Sequence, residues 1–506
     1  MDRISVFSGE KRSSAFIITC GIITALSLGI VLTKVDIQFA CLPLLMSVAF
    51  FFIVILFRYP KLGLYSLLAY SFVLVALIWE VGDYPFGIGV EIILLLTFMA
   101  TIFHRQEWKK LRHPLVYIGF FWLFLSIAEI FNPYGASLRG WIQEIRSMAL
   151  FPLIISVLGM VLLTKRKDLD RFLLIIIAFS MLAAINGIKQ LYIGPSAGEQ
   201  RFLDAGGSVT HLIWGQLRVF SFYSDAGQFG ASQAHLSLMC LILAFGKMSW
   251  WKRILLIMLA GILFYGMLIS GTRGALFVLL SGGFFALLLS KRISVILVGG
   301  CLVVLFIAFL KFTHIGSSNY QIYRLRSALD THDASLNVRL QNQQLLANYL
   351  QDKPFGDGLG TIGKWGKEYN PDKFLSTIEP DSLWVKIWAS YGIVGLICWF
   401  AFMMFLLGQC CGICLRIKDR NLRIKVIALT SGIAGIIFCS YGNEVMNAFP
   451  SSAITWLSCV LVYLSPTFDV TTTDRKLSQE VPDSKGIWIL KGDLYQYVTN
   501  SRSTHA

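Results

Sequence analysis

Arg218 and Arg273 are the residues best suited to do chemistry in this sequence. Arg218 lies in Gln216-Leu-Arg-Val-Phe-Ser-Phe-Tyr-Ser-Asp-Ala-Gly-Gln-Phe-Gly230. Arg273 lies in Leu268-Ile-Ser-Gly-Thr-Arg-Gly-Ala-Leu276, where a Gly-Thr-Arg-Gly turn alone separates two apolar runs. A guanidinium presents paired N–H donors in a fixed fork, so two of them converging from different helices suit a phosphate or pyrophosphate. The competing reading is an interfacial arginine that snorkels to lipid headgroups. The Arg273 turn falls on the side of the chain that otherwise avoids Lys and Arg, which favours an anionic ligand. Arg139 and Arg146, in Leu138-Arg-Gly-Trp-Ile-Gln-Glu-Ile-Arg146, border another apolar run, and Glu144 is near enough in sequence to pair with one of them.

Carboxylates form a second constellation. Thr377-Ile-Glu-Pro-Asp-Ser382 delivers Glu379 and Asp381 immediately before an apolar run that begins at Leu383, where a helix N-terminus favours an anion. One reading makes Asp381, or Glu379, a general base that takes a proton from an attacking hydroxyl. The other makes Asp381 a plain N-cap, with Pro380 setting the start of the helix.

The elements that must hold these residues follow from composition. Of 506 residues, 56% are hydrophobic and only 14% charged, with a mean hydropathy of +0.67; soluble proteins average about 25% charged. The chain is expected to be an all-α, polytopic membrane bundle of about fourteen helices (12 to 14), the first near residues 15–33 and the last near 451–465. A large soluble catalytic domain is excluded. The short basic loops, including Arg58 with Lys61, Lys165 to Lys167, and Arg416 to Lys425, all fall on one side. They place both termini in the cytoplasm and account for the net charge of +15 without nucleic acid.

On this reading residues 1–312 form an N-terminal bundle, 313–383 a large external loop, 384–466 the closing spans and 467–506 a polar cytoplasmic tail. Within the loop, Leu336, Leu340, Leu345, Leu346 and Tyr349 recur near a 3.6 period. They predict an amphipathic helix lying on the membrane face or capping the bundle. The ten cysteines fall in or beside apolar runs, and Cys410, Cys411 and Cys414 read as packing thiols, so no metal or disulfide framework is expected.

These residues resemble those of the bacterial O-antigen ligase and polysaccharide polymerase superfamily. The Arg218 segment looks like that family's arginine motif leading into a span, and Ser270-Gly-Thr-Arg-Gly-Ala275 is similar to its second. Asn337-Val-Arg339 followed by Lys353-Pro-Phe-Gly-Asp-Gly-Leu-Gly360 resembles its external-loop stretch. Asp381-Ser-Leu-Trp-Val-Lys-Ile-Trp-Ala-Ser-Tyr-Gly-Ile-Val-Gly-Leu396 resembles the family's closing helix. The resemblance implies glycan transfer from an undecaprenyl-pyrophosphate carrier at the external face of the inner membrane, without cofactor, metal or nucleotide sugar. Arg218 and Arg273 would hold the pyrophosphate, and Arg339, Arg139 and Arg146 are further candidates for glycan or phosphate. Asp381 stands where ligases carry a histidine, which favours a polymerase over a ligase. A repeat-unit flippase and a chain-length regulator are the implied protein partners. A transporter or flippase for an anionic solute or lipid-linked glycan is the reading from another class; it predicts charge at mid-membrane depth repeated in two halves.

Overall fold

The computed structural model describes residues 37–82, 84–104, 106–135, 137–315, 320–327, 334–380, 382–469, 487–491 and 494–498. The expected first span near 15–33 and Asp381 lie outside the described residues. The helices are α1 (Ile37–Arg58), α2 (Lys61–Val81), α3 (Ile88–Ile102), α4 (Pro114–Ala128), α5 (Leu138–Ile145), α6 (Phe151–Leu162), α7 (Arg166–Tyr192), α8 (Ala226–Leu243) and α9 (Trp250–Ile269). They continue as α10 (Gly274–Leu289), α11 (Ile293–Phe312), α12 (Tyr320–Ser327), α13 (Ala334–Tyr349), α14 (Leu383–Arg416), α15 (Arg420–Cys439) and α16 (Ser451–Leu464). Among the described residues strands are confined to two short hairpins, β1 (Leu212–Ile213) with β2 (Gln216–Leu217), and β3 (Ile487–Lys491) with β4 (Leu494–Val498) in the tail.

Among the described residues, nine helices are long and apolar enough to cross a membrane, and three shorter apolar helices accompany them. The chain is a polytopic helical membrane protein. Its centre is α8, buried over nearly its whole length against α7, α9, α10 and α15. Small residues make that possible: Ala226, Gly227, Gly230, Ala231, Ser232, Ala234 and Ser237 let neighbouring backbones approach. The described cysteines are free thiols, and Cys414 Sγ packs 3.1 Å from Thr430 Oγ1.

Hydropathy misplaced one boundary. In the sequence Arg139 and Arg146 border an apolar run, yet α5 runs through a π-turn at Arg146–Leu150 into α6 as one span from Leu138 to Leu162. Charged side chains broke the apolar pattern without breaking the helix, because they are paired. Arg146 Nε lies 2.5 Å from Glu91 Oε1 and Glu144 Oε1 lies 3.1 Å from Lys386 Nζ. Glu144 is therefore the partner of neither Arg139 nor Arg146.

The described residues between 313 and 383 fold onto the bundle as a cap. On α13, Leu346 is buried with the following Leu350 in a small core with Ile362, Leu375, Ile378 and Ala389, while Leu340 and Leu345 are exposed. The amphipathic helix thus packs on its own loop. The latch is glycine-rich. Helix α14 breaks at Gly392 (φ 67°, ψ −170°), and the turn at 354–358 fills the break: Asp357 N donates to Ala389 O (2.9 Å), Gly358 N to Ser390 O (3.1 Å) and Val394 N to Pro354 O (3.2 Å). A Cβ at Gly392 would lie 2.0 Å from Pro354 O. The Gly-rich turn is buried structure, neither a free loop nor an open clamp. Gly392→Ala is expected to cost at least about 2 kcal/mol, from a backbone region essentially reserved for glycine plus the collision. Thermal melting in detergent, with Gly283→Ala in open space as control, measures it.

Candidate anion-binding site

At the loop-bearing end of the bundle the segment before α8 is held by local backbone bonds. Residues Leu212–Leu217 form a hairpin, and Arg218 N extends it by donating to His211 O (2.7 Å). Val219 N then donates to Ile269 O (3.2 Å), tying the segment to the end of α9. The Arg218 side chain is fixed by Nη1 donating to Thr210 O (2.9 Å) and Nη2 to Thr272 Oγ1 (3.3 Å). Thr272 in turn donates to Ala226 O (2.8 Å). The Gly-Thr-Arg-Gly turn therefore orients one arginine through its threonine and carries the next, Arg273, at the N-terminal boundary of α10.

A third guanidinium joins them from the cap. Arg324 of α12 is buried and its Nε donates to Gly271 O (3.3 Å). A fourth, Arg339 of α13, brings Nη1 to 3.9 Å from where a Cβ on Gly442 would sit, with Gly274 Cα equally close to that point. Burial, then the Arg324 charge, and to a lesser extent Arg273, push Arg218 below the usual guanidinium range, with Asp225 opposing. Its Nε is buried without a hydrogen-bond partner. Crowded like charges with an unused buried donor are a site that an anion would relieve.

The sequence expectations meet this geometry unevenly. Arg218, Arg273 and Arg339 come together. Arg146 is occupied by Glu91 and Gln143, and Arg139 is exposed near Tyr369. Glu379 is exposed and ion-paired with Lys367. The N-cap of α14 is Ser382, whose Oγ accepts from Val385 N (3.3 Å). Leu383 N also donates to Ser440 O (3.0 Å), which pins this helix start to the end of α15.

Two features escaped sequence reasoning. Arg324 carried no signal, being one of several cations in a polar stretch. Lys386 did carry one, a cation three residues inside an apolar helix. It is held between Glu144 Oε1 (3.1 Å) and Glu444 Oε2 (3.0 Å), with side-chain exposures of 10%, 1% and 28% respectively. The Glu444 loop joins this triad to the arginines. Its neighbour Asn443 packs against Gly227 and Gly274 at the starts of α8 and α10, where a Cβ would lie 3.1 and 2.1 Å from the amide. Beside the same loop, a small apolar crevice of about 30 Å³ is lined by Trp122, Met148, Leu153, Trp399, Met446 and Trp456, among others.

The described residues thus form a multi-spanning helical bundle with clustered arginines beside the docked loop. Residues 258–400, which include Arg273, Arg324, Arg339 and the Gly392 break, match the family model described as O-Antigen ligase. An O-antigen polymerase of Salmonella muenchen is 27% identical over 338 residues, covering 62% of this chain and 80% of that protein. Both comparisons make the chain similar to members of the O-antigen ligase and polysaccharide polymerase superfamily of membrane enzymes.

Proposed function

We propose that this protein polymerises undecaprenyl-pyrophosphate-linked oligosaccharide repeat units into O-antigen, capsule or exopolysaccharide, at the external face of the bacterial inner membrane. The observation that carries the proposal is the convergence of Arg218, Arg273, Arg324 and Arg339 from separate elements beneath the cap. A pyrophosphate carrier is already activated. The protein must align a sugar hydroxyl with the anomeric carbon, neutralise charge on the departing pyrophosphate and accept one proton. The C–O bond to the acceptor forms as the bond from the anomeric carbon to the pyrophosphate oxygen breaks, with inversion at that carbon. Arg218 and Arg273 hold the leaving group, and Asp381, beside the Ser382 cap, is assigned the proton, with Glu379 as the alternative base. The guanidinium groups supply the positive charge, so the scheme requires no metal. A polymerase is favoured by Asp381 standing where ligases carry a histidine, and by the name of the Salmonella relative. The description of the matching family keeps a ligase as the second reading. On the polymerase reading, a repeat-unit flippase supplies the substrate and a chain-length regulator acts on the product.

Purified protein in detergent, given the native lipid-linked oligosaccharide, is expected to produce a ladder of longer lipid-linked products. A single larger product that requires added lipid A core would replace polymerase by ligase. Failure to elongate, with substrate crossing the bilayer in liposomes, would overturn the enzyme reading in favour of a transporter.

A further inference from the structure

The hairpin that delivers Arg218 carries an exposed tryptophan at its tip. Trp214 (φ 54°) and Gly215 (φ 75°) form the two central residues between Ile213 and Gln216, both left-handed, as in a type I′ turn. Position one of such a turn favours Asn, Asp or Gly; a bulky aromatic there is an outlier. The ring is also 67% exposed, so packing does not explain it. It stands edge-on to Tyr323 (5.6 Å between centroids) and Tyr320 (6.4 Å) of α12, the helix that supplies Arg324. Tyr323 is itself 47% exposed.

The hairpin is a rigid mount. His211 at its base contacts the rings of Phe202 (5.3 Å) and Phe220 (4.9 Å), both of which pack on Trp79. Its Nε2 accepts from Ala226 N (3.3 Å) at the start of α8. The exposed aromatics are therefore fixed relative to the arginines from both sides, through β2 to Arg218 and through α12 to Arg324. A flat apolar face beside a cationic recess matches a ligand with a sugar ring next to a phosphate: the ring's C–H face stacks on the aromatic while the guanidinium groups take the anion.

We propose that Trp214, with Tyr323, forms a saccharide-binding subsite for the sugar residues nearest the pyrophosphate of the glycan donor. The proposal rests on the polymerase or ligase reading given above. Neither ring takes part in bond making. They position the donor, so their loss acts on donor affinity.

The test uses the full-length protein in the elongation assay. Trp214→Ala is expected to raise KM for the lipid-linked donor about tenfold, the worth of one aromatic contact, with kcat within twofold of wild type. Trp214→Phe is expected to restore most of the affinity. Trp214→Gly removes the ring while suiting the left-handed backbone, so an effect of the Ala variant through misfolding would be absent from it. Inhibition by inorganic pyrophosphate should be the same in all variants, because that probe lacks sugar. Unchanged KM in both the Ala and Gly variants overturns the subsite and leaves the polymerase reading intact. A wild-type protein that elongates nothing would sink the parent reading and the subsite with it.

Discussion

Arg273→Ala is expected to reduce the rate of glycan transfer by about 100- to 1000-fold, the usual cost of removing one preorganised donor from a site of developing negative charge. Arg218→Ala should match or exceed it, because that side chain also bonds Thr210 O and Thr272 Oγ1. Its loss would loosen the hairpin as well as remove a charge. Lysine at either position should recover only part of the activity, since a point charge lacks the paired donors. The measurement is the initial rate of ladder formation, with thermal melting to separate chemistry from folding. Inorganic pyrophosphate should inhibit wild type and lose potency in both variants. Activity within tenfold of wild type for Arg273→Ala, at unchanged inhibition, would remove the pyrophosphate role.

The largest stability effect is expected at Lys386. Among the described residues its ammonium is the cation paired with both Glu144 and Glu444, and Glu144 is 1% exposed. Lys386→Met would leave two carboxylates facing each other in a buried site, a change of roughly 3–5 kcal/mol, read as a lowered melting temperature or loss of folded protein. The double variant Lys386→Met with Glu144→Gln should recover much of that loss. A single variant as stable as wild type would show that the triad is solvated and unimportant.

The pH dependence follows from Glu444. Burial raises its carboxyl from 4.5 to about 7, with Lys386 opposing the shift and Glu144 adding to it. The folded state thus keeps a proton that the unfolded chain releases between those values. The stability this proton confers is present in acid and is lost as pH rises through about 7. Glu444→Gln cannot ionise, so its stability relative to wild type should climb between pH 5 and 8; a pH-independent difference would contradict the raised carboxyl.

Much of the fold was legible in one dimension. A span must be apolar over about twenty residues whatever packs beside it, so hydropathy located the helices from Lys61–Val81 to Ser451–Phe468. It failed at Leu138–Ile145 because a charge in a helix is tolerable only when paired, and the partners of Glu144 and Arg146 are on other helices. The same limit hid the site. Arg218 and Arg273 stood out because a turn beside an apolar run has little use for a fixed cation, but Arg324 looked like any loop arginine until α12 laid it against Gly271.

The glycine motifs show the division most clearly. Lys353-Pro-Phe-Gly-Asp-Gly-Leu-Gly360 and Gly392-Ile-Val-Gly395 were visible as residues, yet nothing in their spacing says that one fills a break in the helix formed by the other. That is set by two backbones approaching closely enough to exchange hydrogen bonds, Asp357 N to Ala389 O and Val394 N to Pro354 O. The sequence by itself determined a basic membrane bundle with one long polar segment late in the chain, because the bilayer constrains composition residue by residue. The tertiary structure alone decided which arginines share an anion site, which carboxylates share Lys386 and where the cap is latched. Each of those depends on contacts between residues distant in the chain, whose energies are pairwise and leave no local pattern.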